Sequence, residues 1–102
     1  MKAAVLFKTN SNLKILKGLQ LPVLKRGQVL VEIIYTSLCR SQIMEIDGLR
    51  GKDKYLPHCL GHEASAKVIQ TGKDVKKVKI GDFVIITWIN SLGINVKKTN
   101  YQ

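Results

Sequence analysis

The sequence has few acidic side chains, few cysteines, few aromatics and no long apolar run. Its 102 residues hold 7 Asp and Glu against 17 Lys and Arg, a formal charge of +10. Only 2 Cys, 1 Trp, 3 Tyr and 2 Phe are present. No apolar stretch approaches the roughly 18 residues of a membrane-spanning helix before a charged residue interrupts it. The apolar opening ends at Lys8, too soon for the core of a signal peptide. A cytoplasmic location is therefore expected, with both cysteines as thiols, metal ligands or packed apolar residues rather than a disulfide. Sparse aromatics and scattered lysines argue against nucleic-acid binding, because neither base stacking nor a clean basic block is on offer. The densest cluster, Lys73-Asp74-Val75-Lys76-Lys77-Val78-Lys79, is broken by valines and an aspartate. It reads as a solvated surface with some long-range pull on anions.

What is present is a globular composition. Hydrophobic residues make up 45% of the chain, which excludes disorder as its main description. The length suits one domain that needs no disulfide to hold its core. No internal repeat or low-complexity tract interrupts it.

The patterning is mainly β. A short apolar run fills residues 2–8, and alternation marks 13–17. Residues 28–38 form the strongest strand, with Val29, Val31, Ile33 and Tyr35 expected on one face and Leu30, Glu32, Ile34 and Thr36 on the other. The period changes after Cys39. Ser41 is placed to cap a short helix carrying Ile43, Met44 and Ile46, which Gly48 ends. A charged loop follows at 50–54. Strands are expected at 63–70, with Ala64, Ala66 and Val68 on one face, and at 83–88. Gly72-Lys73 and Gly81-Asp82 read as turns. A domain over 1–90 and a weakly patterned, fraying tail over 91–102 complete the organisation.

Cys39, His62 and Glu63 are the residues of chemical interest, together with Cys59. Thiolate and imidazole are common zinc ligands. The 23-residue gap between Cys39 and His62, with no cysteine pair beside either, makes spacing alone a weak zinc signal. Packed cysteines and a hydrogen-bonded histidine fit the spacing as well.

The words around them say more. Gly61-His62-Glu63-Ala64 followed by Val68 resembles the Gly-His-Glu signature of zinc-dependent medium-chain alcohol dehydrogenases. Val29-Leu30-Val31-Glu32 leading through Tyr35-Thr36-Ser37-Leu38 to Cys39-Arg40-Ser41 resembles that family's strand and catalytic-cysteine segment. Val78-Lys79-Ile80-Gly81-Asp82-Phe83-Val84 is similar to its Lys-x-Gly-Asp-x-Val strand entry. The three stand in the family's order from Met1 to about Trp88.

The resemblance implies the N-terminal catalytic domain: a GroES-like distorted β-barrel with one or two short helices. It implies zinc on Cys39 and His62, with Glu63 orienting the site or joining as a ligand, and Cys59 structural. It implies that Ser41 passes the alcohol proton outward, Arg40 faces the pyrophosphate of NAD(P), and Trp88 walls the pocket of a small alcohol or aldehyde. Some positions depart from the family. Met44 replaces a relay histidine, Gln42 an aspartate and Ala66 a glycine. The four-cysteine structural-zinc lobe, the late zinc cysteine and the glycine-rich Rossmann turn are missing, so the 102 residues read as the catalytic domain alone. Weak zinc binding, no dehydrogenase activity in isolation and self-association through an exposed interdomain surface are the expectations.

Other readings are a co-chaperonin-like GroES-type interaction protein, a zinc-free quinone reductase and a basic nucleic-acid binder. The ordered cysteine and histidine words argue against the first two.

Overall fold

The computed structural model describes residues 1–89 and 93–95. In chain order the elements are β1 (Lys2–Leu6), β2 (Lys14–Lys17), β3 (Val29–Thr36), α1 (Arg40–Ile46), β4 (His58–Cys59), β5 (Glu63–Thr71) and β6 (Phe83–Thr87). They fall into two compact units. One comprises Met1–Pro22 and Leu38–Gly61; the other comprises Val23–Ser37 and the chain from His62 onward.

The first unit is built on a three-stranded antiparallel sheet of order β2-β1-β4. The central strand carries the apolar load, with Val5 and Leu6 buried and Leu6 wholly inaccessible. Lys2 pairs with Lys17 and Val5 with Lys14 on one side; Val5 and Leu6 pair with Cys59 and His58 on the other. The amino terminus donates to the Leu19 carbonyl at 3.0 Å, closing the β1–β2 end. The Asn10 amide donates to the Ile46 carbonyl at 2.6 Å and ties the β1–β2 connection to the end of α1.

The helix begins earlier than the sequence suggests. Ser41 is not its cap: it lies inside α1, and Cys39 is the N-cap, with extended φ −127° and ψ 172°. The Cys39 sulfur accepts from the Ser41 amide at 3.4 Å, and the Cys39 amide donates to Gln42 Oε1 at 2.7 Å. This is a capping box in which sulfur stands in for the usual hydroxyl. It also gives the neutral Gln42 carboxamide a task, accepting from the Cys39 amide. Gln42 is the one buried polar residue among those described. Gly48, at φ 68°, ends the helix as expected.

The second unit holds an antiparallel sheet of order β3-β5-β6. Here β5 is central, and Ala66 and Val68, each 1% exposed, share the expected inward face. The β3–β5 register runs from Val29↔Thr71 to Thr36↔Ala64, with shifts between Leu30 and Val31 and between Ile33 and Tyr35. The first shift leaves Ile69 as an extra residue on β5, and the second leaves Ile34 extra on β3, so the strict two-face alternation expected along 28–38 breaks at Ile34. An extra residue moves the side chains beyond it on its own strand out of simple alternation. The turn at 25–28 meets the end of β5 closely. The Gly72 amide donates to the Gln28 carbonyl at 2.7 Å and the Gly27 amide to the Lys73 carbonyl at 2.9 Å, while Arg26 pairs with Asp74 at 2.5 Å. A Cβ on Gly72 would stand 2.2 Å from the Lys25 carbonyl oxygen, so only glycine fits.

The architecture is mainly β with one short helix among the described residues. Of the tail over 91–102, only 93–95 lie within the described residues. There Asn95 accepts from the Lys76 and Lys77 amides at 2.7 and 2.8 Å and donates to the Asp74 carbonyl at 2.8 Å. Among the described residues, no helix is long and apolar enough to cross a membrane.

Candidate functional site

The residues singled out in the sequence are shared between the two units. Cys39, Arg40 and Ser41 belong to the first; His62, Glu63 and Trp88 belong to the second.

In the first unit the cap geometry brings thiol and hydroxyl together. Cys39 Sγ lies 2.8 Å from Ser41 Oγ, so one of the two groups donates to the other across two residues. The Cys-x-Ser spacing produces this directly: the cap and the second helical residue face each other around the free amides of the first turn. Arg40, the first residue of α1, is exposed. Cys59 is also exposed, and neither cysteine forms a disulfide.

In the second unit, His62 is half-buried and immediately precedes β5, and Glu63 opens that strand. Glu63 is held at two points. Its carbonyl accepts from Thr36 Oγ1 at 2.8 Å, and its carboxylate accepts from the Ser37 hydroxyl. An open cleft of about 310 Å³ surrounds it, lined by Tyr35, Thr36, Ser37, Ala64, Ser65 and Ile85. Trp88 directly follows β6 and is 73% exposed.

The donor types suit zinc, since a thiolate and an imidazole are its usual partners. The donor number does not complete a site. Among the described residues, no three His, Cys, Asp or Glu side chains gather where they could hold a metal ion.

Sequence reasoning missed a pair in the first unit. His58 Nε2 meets Asp53 Oδ2 at 2.6 Å, and the Tyr55 amide donates to Asp53 Oδ1 at 2.8 Å. The hydrogen bond to Asp53 holds the imidazole above its ordinary pKa, and the same bond holds the Asp53 carboxyl below its own. Neither residue sits in a recognisable word. The only signal was an acid five positions before a histidine. Ser37 was read merely as part of the lead-in to Cys39.

A mainly antiparallel β structure with one short helix is the architecture of a GroES-like domain. A family model, the alcohol dehydrogenase GroES-like domain, matches residues 25–102, and the chain belongs to that family. It is 34% identical over 90 residues to an alcohol dehydrogenase of Schizosaccharomyces pombe, covering 86% of this chain and 26% of that protein. It is 36% identical over 91 residues to an alcohol dehydrogenase of Geobacillus stearothermophilus, covering 89% and 26%. A D-arabitol-phosphate dehydrogenase of Enterococcus avium is 39% identical over 66 residues, covering 65% and 18%. The chain thus spans about a quarter or less of these relatives' length.

Proposed function

We propose that this chain is the zinc- and substrate-bearing portion of an alcohol dehydrogenase-like oxidoreductase of the cytoplasm. The observation that carries the reading is the Cys39–Ser41 pair, a thiol and a hydroxyl 2.8 Å apart at the start of α1. A metal-ligating sulfur and a proton-passing hydroxyl are required side by side in this chemistry. Membership of the family supports the same assignment.

Cys39 and His62 are the donors this chain offers to zinc, a partial set that needs further ligands. Zinc, when bound, would supply a Lewis acid that lowers the pKa of an alcohol oxygen, and a nicotinamide dinucleotide would supply the hydride acceptor. The chain's own residues do the rest. Ser41 Oγ receives the alcohol proton and passes it outward. Arg40 presents a guanidinium suited to a pyrophosphate. Trp88 offers an aromatic wall to a small alcohol or aldehyde.

Cobalt substitution tests the assignment. Titrating the chain with Co²⁺ should produce a thiolate charge-transfer absorption that Cys39→Ser removes and His62→Ala weakens. No such band, or one that persists in Cys39→Ser, overturns the ligand assignment. The 102 residues contain no glycine-rich dinucleotide turn. The purified chain should therefore give no alcohol-dependent NAD reduction, and measurable turnover would refute that part.

A further inference from the structure

We propose that Ser37 is a positioning residue that fixes the Glu63 carboxylate against β3 and so withholds it from the metal. The inference rests on the zinc reading above for its consequence, but not for its geometry. Both residues lie in the second unit. Thr36 pairs with Ala64 across the antiparallel β3–β5 ladder, so the next step along both strands brings Ser37 opposite Glu63. At that point the Ser37 hydroxyl donates to Glu63 Oε1. The backbone beneath it is held on both sides. Thr36 Oγ1 donates to the Glu63 carbonyl, and Glu63 pairs with Thr87 of β6. The carboxylate therefore stands on a fixed base, and a hydroxyl proton anchors one of its oxygens.

A hydroxyl donating to a carboxylate makes a charge-assisted bond, shorter and stronger than a neutral one. To become a metal ligand through Oε1, Glu63 has to break it. The sequence of this chain leads to Glu63 as a third donor beside Cys39 and His62. The structure gives that carboxylate another partner. Ser37 thus sets whether Glu63 acts as a ligand or as a fixed negative charge next to His62.

The test is Co²⁺ titration of the wild-type chain against Ser37→Ala, Ser37→Thr and Ser37→Ala/Glu63→Gln. Ser37→Ala should tighten Co²⁺ on the order of tenfold, the scale of one hydrogen bond to a charged group. Ser37→Thr, which keeps the hydroxyl, should retain wild-type affinity. The double variant should lose the gain, because the gain passes through the carboxylate. Unchanged or weaker binding in Ser37→Ala, or a gain that survives Glu63→Gln, overturns the proposal.

A second measurement needs no metal. In the metal-free chain, NMR side-chain order at Glu63 should fall in Ser37→Ala and recover in Ser37→Thr, with β3–β5 amide protection unchanged. Equal order in all three proteins overturns the positioning role. If no variant binds Co²⁺ while the order still falls, the zinc reading fails and the Ser37–Glu63 link stands.

Discussion

His58 places both ring nitrogens against acceptors: Nε2 lies 2.6 Å from Asp53 Oδ2, and Nδ1 lies 3.1 Å from the Cys59 carbonyl. Only the doubly protonated imidazolium donates to both. The pair clips the charged loop after α1 to the start of β4, and Glu45 on α1 adds a weaker attraction for the positive ring.

The clip predicts a pH window. The His58 pKa is raised above 6.5, mainly by the hydrogen bond to Asp53. Its stabilisation is complete below the unfolded value and is lost as pH rises through the folded one. The Asp53 pKa is lowered below 3.8, mainly by the same bond. That contribution is present above the unfolded value and is lost as pH falls through the folded one. Urea midpoints of wild type and Asp53→Asn should differ most between these limits and converge at alkaline pH. A difference independent of pH would contradict the clip.

Leu6 is the largest side chain completely shut from solvent in the first unit. Leu6→Ala should cost about 2–5 kcal/mol, the range for emptying a packed leucine site. Urea denaturation at neutral pH reads it out, and a loss under about 1 kcal/mol would mean that the site collapses around the gap.

Gly72→Ala should destabilise by about 1–3 kcal/mol, the range for forcing extra volume into a packed site. The obstruction is backbone, the Lys25 carbonyl oxygen, and not the end of a pliant side chain. Thermal unfolding of the variant measures the effect; a neutral substitution would show that the 25–28 turn moves freely.

Tyr35, Phe83 and Ile85 are all exposed on the second unit. Tyr35 and Ile85 flank Ser65 in one row of the sheet, and Phe83 stands opposite Lys67 two residues along the same face. Clustered exposed apolar residues favour association. The chain should self-associate at high concentration by light scattering, and Ile85→Lys should reduce this. A monomer at every concentration would argue against it.

The sequence exposes the strands through their period, and Ala66 and Val68 on one face of β5 follow from it. The same period carries no mark of the irregularities in the β3–β5 pairing, since a bulge changes pairing without changing composition. The helix start at Cys39 was hidden because sulfur is a rare cap, and Ser41, a common one, stood two residues on. His62 and Glu63 were legible as part of a word. Their surroundings were not: Ser37 and Glu63 are 26 positions apart and meet only because β3 and β5 pair in one register.

Neither compact unit is made from one continuous stretch of chain. The first needs Met1–Pro22 to find Leu38–Gly61 across a segment that belongs to the second, and β1 must join β4 over more than fifty positions. Contacts so far apart in sequence close slowly, because loop entropy is spent before pairing returns it. The first unit's sheet closes only by spanning residues 23–37, and the second unit's only by spanning 38–61. Both units should therefore fold comparatively slowly, as followed by Trp88 fluorescence in the second and His58 resonances in the first.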